Sequence, residues 1–284
     1  MRKFNEKYGR CLNVITAVCL AFVALMLFFG CGKSAAPTEG VIYEIAVDRS
    51  HASVVGYDGE SSDIVIAEEY HGVPVRRINE LFGDNIKSVT IPNSVKIIGN
   101  GAFSECPALE EVVIPDSVTK IEDDAFKYCG SLKSVVIGDG VGELGNAVFA
   151  FCNSLESAVI GEGVTAISDD TFAWCSSLKS VVLPNSVTRI GAAAFFNCTS
   201  LDTLVIPEKV TSIGDSAFEW CTGLQSVVIP ESVMIVGDMA FSNCTGLRDV
   251  YYTGSETEWL EISDSVLVSL SDEIKLHYDY VPEN

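Results

Sequence analysis

Residues Leu178–Ser200 read LKSVVLPNSVTRIGAAAFFNCTS, and the same phrase recurs, with substitutions, on both sides of it. Its pattern is L-x-x-V-x-I-P-x-x-V-x-x-I-x-x-x-A-F-x-x-C-x-x. Ile86, Leu109, Leu132, Leu155, Leu178, Leu201, Leu224 and Leu247 stand 23 residues apart, and so do Cys106, Cys129, Cys152, Cys175, Cys198, Cys221 and Cys244. Seven complete units run from Ile86 to Gly246 without an insertion. A fixed period in this range is the signature of a solenoid. Within a unit, the β-branched run S-V-V-I predicts a short strand that a Pro or Gly closes. Its first Val and its Ile face one way, and its Ser and second Val face the other. V-T-x-I-G predicts a second extended piece. An acid or amide two residues before A-F (Asp123, Asn146, Asp169, Asp215, Asp238) has the position of an N-cap, so A-F-x-x-C is read as a short helical turn. The fold expected is an α/β solenoid of 23-residue units, with parallel strands stacked in a sheet and short helical turns.

One such unit cannot bury its apolar side alone, whereas stacked units cover one another. Each position then meets its own copy in the next coil, about 4.8 Å away along a sheet. A column accepts only residues that fit against themselves. The cysteines are expected to form one buried column, where a thiol behaves as a small hydrophobe. Seven is odd and a column has no preferred pairs, so disulfides are not the expected reading. No CxxC is present, and His51, His71 and His277 all lie outside the seven units, so no metal is expected either.

The flanks are expected to close the stack. VIYEIAV and ASVVGY suggest an antiparallel hairpin over the first coil. Ser255-Glu256-Thr257-Glu258 has the form of a capping box ahead of a helix, followed by a last strand at 274–280. The organisation read from these signals is an export signal over 1–30 and a tether over 31–40. An N-terminal cap with a degenerate repeat follows over 41–85, then seven repeats over 86–246 and a C-terminal cap over 247–284.

Of the 284 residues, 39 are acidic and 18 basic, for a net charge of −21. Four of the bases and one acid fall within residues 1–30, so the remainder carries 14 bases against 38 acids, a net −24. That charge argues against nucleic acid or an anionic membrane surface as partner. Arg2, Lys3, Lys7 and Arg10 precede a nearly continuous apolar run from Cys11 to Phe29, which reads as an export signal. Phe28-Phe29-Gly30-Cys31 resembles the lipobox of bacterial lipoproteins, which implies cleavage before Cys31 and lipid on that residue. The alternative is an uncleaved anchor helix, since nineteen apolar residues can just span a bilayer. Either way the repeats lie outside the cytoplasm.

P-x-S-V-T-x-I-G-x-x-A-F-x-x-C, repeated almost verbatim, resembles the BspA-like leucine-rich repeats of bacterial surface proteins, over about residues 41–284. Tyr43–Tyr57 with DIVIAEEYHGVPVRRI is similar to that family's entry segment, and VYYTGSETEWLEI with IKLHYDY to its ending. The resemblance implies a surface-exposed protein, with adhesion to matrix proteins, other bacteria or epithelial cells as the role implicated for some members.

In a solenoid, function is carried by the columns that face outward. The residue after each Leu alternates in sign over Lys87, Glu110, Lys133, Glu156, Lys179 and Asp202, and neighbours there can pair for about 0.2–1 kcal/mol each. Val136, Val159, Val182, Val205 and Val228, flanked by serines, form a smooth strip that is either a docking face or ordinary strand composition. The residue before each Cys is aromatic in the middle units: Tyr128, Phe151, Trp174 and Trp220, with Phe196 one position earlier. These rings either seal the convex side against one another or form a binding hot spot. Acids also stack, at Asp116, Asp139, Glu162, Glu208 and Glu231, without any calcium-loop motif.

No HExxH, GxSxG or phosphate-binding glycine loop occurs. The acids and thiols repeat instead of converging on one place. The expectation is therefore a monomeric, non-enzymatic, lipid-anchored surface protein, without cofactor or small-molecule substrate, that binds an extracellular protein or glycan. The alternative is a structural envelope lipoprotein with no host ligand.

Overall fold

The computed structural model describes residues 36–81, 83–267 and 274–281. The export signal and the lipidation expected at Cys31 lie outside these residues. Thr38–Asn284 forms one compact unit, and within it each 23-residue period makes one coil. The entry hairpin joins β1 (Val41–Ile45) to β2 (Ala52–Tyr57) in antiparallel pairing. β3 (Asp63–Val65) follows, and β4 (Glu69–Tyr70) then turns back on β5 (Val73–Ile78).

Two sides of every coil are strands. One ladder stacks β3, β6 (Ser88–Thr90), β8 (Glu111–Ile114), β10 (Ser134–Ile137), β12 (Ser157–Ile160) and β14 (Ser180–Val182) in parallel. It resumes with β16 (Thr203–Val205), β18 (Ser226–Ile229), β20 (Asp249–Tyr252) and β21 (Lys275–His277). The second ladder runs from β2 through β5, β7 (Ile97–Ile98), β9 (Lys120–Ile121) and β11 (Glu143–Leu144). It resumes with β13 (Ala166–Ile167), β15 (Arg189–Ile190), β17 (Ser212–Ile213) and β19 (Ile235–Val236). In the regular coils each pairing joins residues one period apart, such as Val112, Val135, Ala158 and Val181. A slip by one residue would turn Val112 and Ile114 outward and bring Val113 in, and this fixes the register.

The third side is not helical, which corrects the reading of A-F-x-x-C. It is a chain of tight turns. The residue before each Cys has positive φ in all seven units (58–65°), and so does the residue before each Ala-Phe or its equivalent (50–62°). The turn backbone bonds to the following coil: Phe126 N donates to Val148 O at 2.8 Å and Tyr128 N to Ala150 O at 2.9 Å. Alternate N–H groups of the turn are thus spent between coils, while Lys127 N and Cys129 N bond within it, to Asp124 O and Phe126 O. The supposed N-caps act between coils as well. Asp123 Oδ1 accepts the backbone N–H of Asn146 at 2.7 Å, and Asp169 Oδ1 accepts that of Ala192 at 2.9 Å. A Cβ on Gly145 would lie 2.6 Å from Asp123 N, so this site in the coil needs glycine where the acid folds beneath it. Asp116 and Asp139 do the same in the turn after the first-ladder strand, accepting from Asp139 N and Glu162 N at 2.9 Å each. These charge-assisted bonds offset the repulsion expected of stacked acids.

The core is a set of columns. Phe103, Phe126, Phe149, Phe172, Phe195, Phe218 and Phe241 are buried, with successive centroids 4.9–5.5 Å apart and planes within 15°. The seven cysteines are free and buried. Each thiol donates to a carbonyl of the preceding coil, as Cys152 Sγ does to Phe126 O at 3.2 Å. That bond explains the choice of residue: the site takes a side chain small enough to stack and still able to donate.

Each ladder has one interruption, between β14 and β16 in the first and between β11 and β13 in the second. The turn side stays bonded across both. Beside the first interruption Val181 and Leu183 are only partly buried, whereas Val112, Val135, Ile114 and Ile137 at the same sites are buried. At the C-terminal end Ser255 and Glu258 bond reciprocally, with Ser255 N to Glu258 Oε2 at 2.8 Å, and start helix α1 (Glu256–Leu267). Trp259 from α1 packs edge-on against Tyr252 and is buried.

Candidate functional site

The Val strip and the aromatic column lie on different sides of the coil. In the strip only Val205 is well exposed, at 52%. Val136 is 6% exposed between Val113 and Val159 and offers a partner almost nothing. Val159, Val182 and Val228 are half-buried. The charge column beside the strip pairs two by two. Lys133 Nζ meets Glu110 at 2.6 Å, Lys179 Nζ meets Glu156 at 2.7 Å, and Gln225 donates to Asp202 at 2.5 Å. Its lysines hold Glu110 and Glu156 below the usual carboxylate range. Two shallow depressions cross this column and the second ladder, lined by Lys87, Glu110 and Lys133 and by Lys120, Glu122 and Glu143. Ion pairs Lys133–Glu110 and Lys120–Glu143 lie among these residues. Among the described residues no group of three or more His, Cys, Asp or Glu side chains is placed to hold a metal.

The aromatic column is different. Tyr128, Trp174 and Trp220 keep 43–46% of their surface, while Phe151 and Phe196 are half-buried. Tyr128 stacks on Phe151 with centroids 4.8 Å apart, and Phe151 on Trp174 at 5.8 Å with planes 8° apart. Phe196 comes from the neighbouring column, where the next coil has Asn197, and tilts against Trp174 at 5.7 Å and 52°. Small buried residues, Ala150 and Ala173, lie in that neighbouring column beside the stacked rings. The four rings thus both pack on one another and remain open along their outer edges. Lys127 Nζ sits 5.6 Å from the Tyr128 ring centre and 2.9 Å from Asp124 Oδ1; that hydrogen bond raises the Lys127 pKa. Beside the ridge, burial and then the Asp169 charge push Asp170 upward.

The backbone beneath these rings is costly. Tyr128, Phe151, Trp174 and Trp220 all have φ of 62–65°. A left-handed backbone costs an ordinary L-residue roughly 1–2 kcal/mol and suits Asn or Gly. Asn197 and Asn243 fill the same site in other coils. For the first three rings, stacking offsets part of the cost at about 0.5–1.5 kcal/mol per pair. Trp220 meets no other ring among the described residues. Trp174→Asn is therefore expected to cost about 1–3 kcal/mol more than Trp220→Asn, because two ring pairs are lost with it. Urea titrations of the two variants would measure the difference, and equal midpoints would contradict it.

Gly101, Asp124 and Asp170 in one turn column, and Asn197 and Asn243 in the other, are residue types that tolerate positive φ and are the signal for it in the sequence. A second signal is in the last coil. Met234 and Ile235 replace the Thr-polar pair of Thr188-Arg189 and Thr211-Ser212, and with Met239 they are exposed.

Comparison with known proteins agrees with the repeat reading. Six copies of the BspA type leucine rich repeat region match over residues 79–199 and 165–267. A leucine-rich repeat protein of T. pallidum, solved by crystallography, is 28% identical with a TM-score of 0.57, over 75% of this chain and 90% of its own. One from Bacteroides ovatus is 20% identical with a TM-score of 0.43, over 85% and 98%. No curated protein matches.

Proposed function

The chain belongs to the BspA-type leucine-rich repeat family, and on that premise we propose that it is a bacterial surface protein that binds an extracellular protein or glycan without turnover. The turn-side ridge carries this reading. Half-exposed aromatic rings, held on a backbone that suits smaller residues, match the composition and rigidity of a binding hot spot. The basic start, the apolar run and Gly30-Cys31 support an extracytoplasmic location with Cys31 as lipid anchor. Columns of identical residues support binding over catalysis, because a reaction needs unlike groups brought to one point.

The test is binding of the protein to immobilised extracellular-matrix and epithelial surface proteins, beside a Trp174→Ala/Trp220→Ala double variant. Saturable binding that weakens at least tenfold in the double variant is expected. Binding unaffected by the variant would move the site to the Val205 side. No binding to any member of the panel would favour the structural envelope role.

A further inference from the structure

We propose that Trp220 and its flanking amides form a saccharide-binding platform, which takes the apolar face of one pyranose ring of a cell-surface oligosaccharide. The inference rests on the reading above, that the turn-side ridge is the partner face. Trp220 is set apart from the other rings of its column. Tyr128, Phe151 and Trp174 use their faces on one another and present edges outward. The neighbours of Trp220 in the column are Asn197 and Asn243, one coil to either side. The backbone holds these coils together, with Asn197 N bonded to Glu219 O at 2.8 Å and Trp220 N to Ser242 O at 2.9 Å. An indole that is 45% exposed thus stands between two amides, with no ring against it among the described residues.

The polar groups around it select the ligand class. Glu219 precedes Trp220, is only 8% exposed, and accepts a 2.6 Å hydrogen bond from Ser216 Oγ. Asn243 Nδ2 lies 3.5 Å from Glu219 Oε1 and 3.5 Å from Ser242 Oγ. The Asn243 carbonyl remains as an acceptor, and among the described residues the Asn197 side-chain amide has no partner. A half-exposed indole with no ring stacked on it, flanked by amide donors and acceptors, suits a ligand with C–H groups on one face and hydroxyls around its rim, which is a pyranose. A quaternary ammonium would need several rings around it or a carboxylate free to meet it; here there is one ring, and the carboxylate is engaged and buried. An apolar protein side chain would leave the amides unsatisfied.

The experiment is saturation-transfer NMR on the whole chain, in a non-glycosidic detergent, with N-acetylglucosamine trimer, lactose and mannobiose as separate probes and tetramethylammonium as the cationic control. Trp220→Asn installs the residue that adjacent coils already hold at this site, so it keeps the fold. Transfer to the ring C–H protons of at least one sugar is expected, with affinity at least tenfold weaker in Trp220→Asn. The proposal is overturned if none of the three sugars receives transfer, if Trp220→Asn binds like the parent, or if only tetramethylammonium depends on Trp220. The two readings fail separately. If the Trp174→Ala/Trp220→Ala variant loses binding to surface proteins while no sugar binds, the ridge stands and the platform falls. If sugars bind through Trp220 while surface-protein binding ignores the double variant, the broader ridge reading falls.

Discussion

Phe172→Ala is expected to lower the unfolding free energy by about 3–5 kcal/mol. The ring is fully buried in the middle coil, stacked on Phe149 at 5.5 Å and on Phe195 at 5.4 Å. Its removal leaves a cavity that the neighbouring coils cannot close, because each is held by backbone bonds at the repeat spacing. Phe149 and Phe195 also each lose a stacking partner, about 0.5–1.5 kcal/mol per pair. In a repeat array, stability is a sum over coils and their interfaces, so a central defect weakens two interfaces and uncouples the two halves. Phe103→Ala, at one end of the column, is expected to do less. Chemical denaturation followed by circular dichroism would measure both, and an unchanged midpoint for Phe172→Ala would mean that the ring does not carry the central interface.

The second large effect is alkaline unfolding. Burial pushes the Cys106 and Cys244 thiols up to about 12 and raises those of Cys152, Cys175, Cys198 and Cys221. Cys129 is raised first by its hydrogen bond to Cys152 and then by burial. An unfolded thiol titrates near 8.5. Below that pH both states are protonated and the stability of the thiol column is fully present. Above it the unfolded chain releases protons that the folded chain retains, so stability falls as pH rises from about 8.5 toward about 12. Cys106 and Cys244 each contribute about 1.4 kcal/mol per pH unit in that window, and the other raised thiols act in the same direction. A fold worth about 5–15 kcal/mol is then expected to lose most of its stability before about pH 12 under reducing conditions. Cys152→Ala/Cys175→Ala should make the loss shallower. A stability flat from pH 8 to 11 would refute the buried column.

The two strands of each coil were legible because their signals are local. Alternation in S-V-V-I sets which side faces in, and a Pro or Gly after it sets where the strand stops. The turn side was misread because its decisive contacts are not local. Asp123 two residues before Ala-Phe looks like an N-cap, and only the stacked coil shows that the N–H it accepts is that of Asn146, 23 residues away. The aromatic column was legible as a column, but not the use made of each ring. Phe196 enters the stack because Asn197 vacates the column beside Trp174, and Trp220 stands apart because its neighbours are Asn197 and Asn243.

The sequence by itself determined the period, the core columns, the direction of the strand side chains and the family, since each depends on spacing and on what can pack against its own copy. Only the tertiary structure decided that the third side is turns bonded between coils, that the stacked acids are hydrogen-bonded to backbone, that Val136 is covered, and which rings keep open surface. Those features depend on the atoms one coil away, and a linear chain does not specify that contact until the coils are stacked.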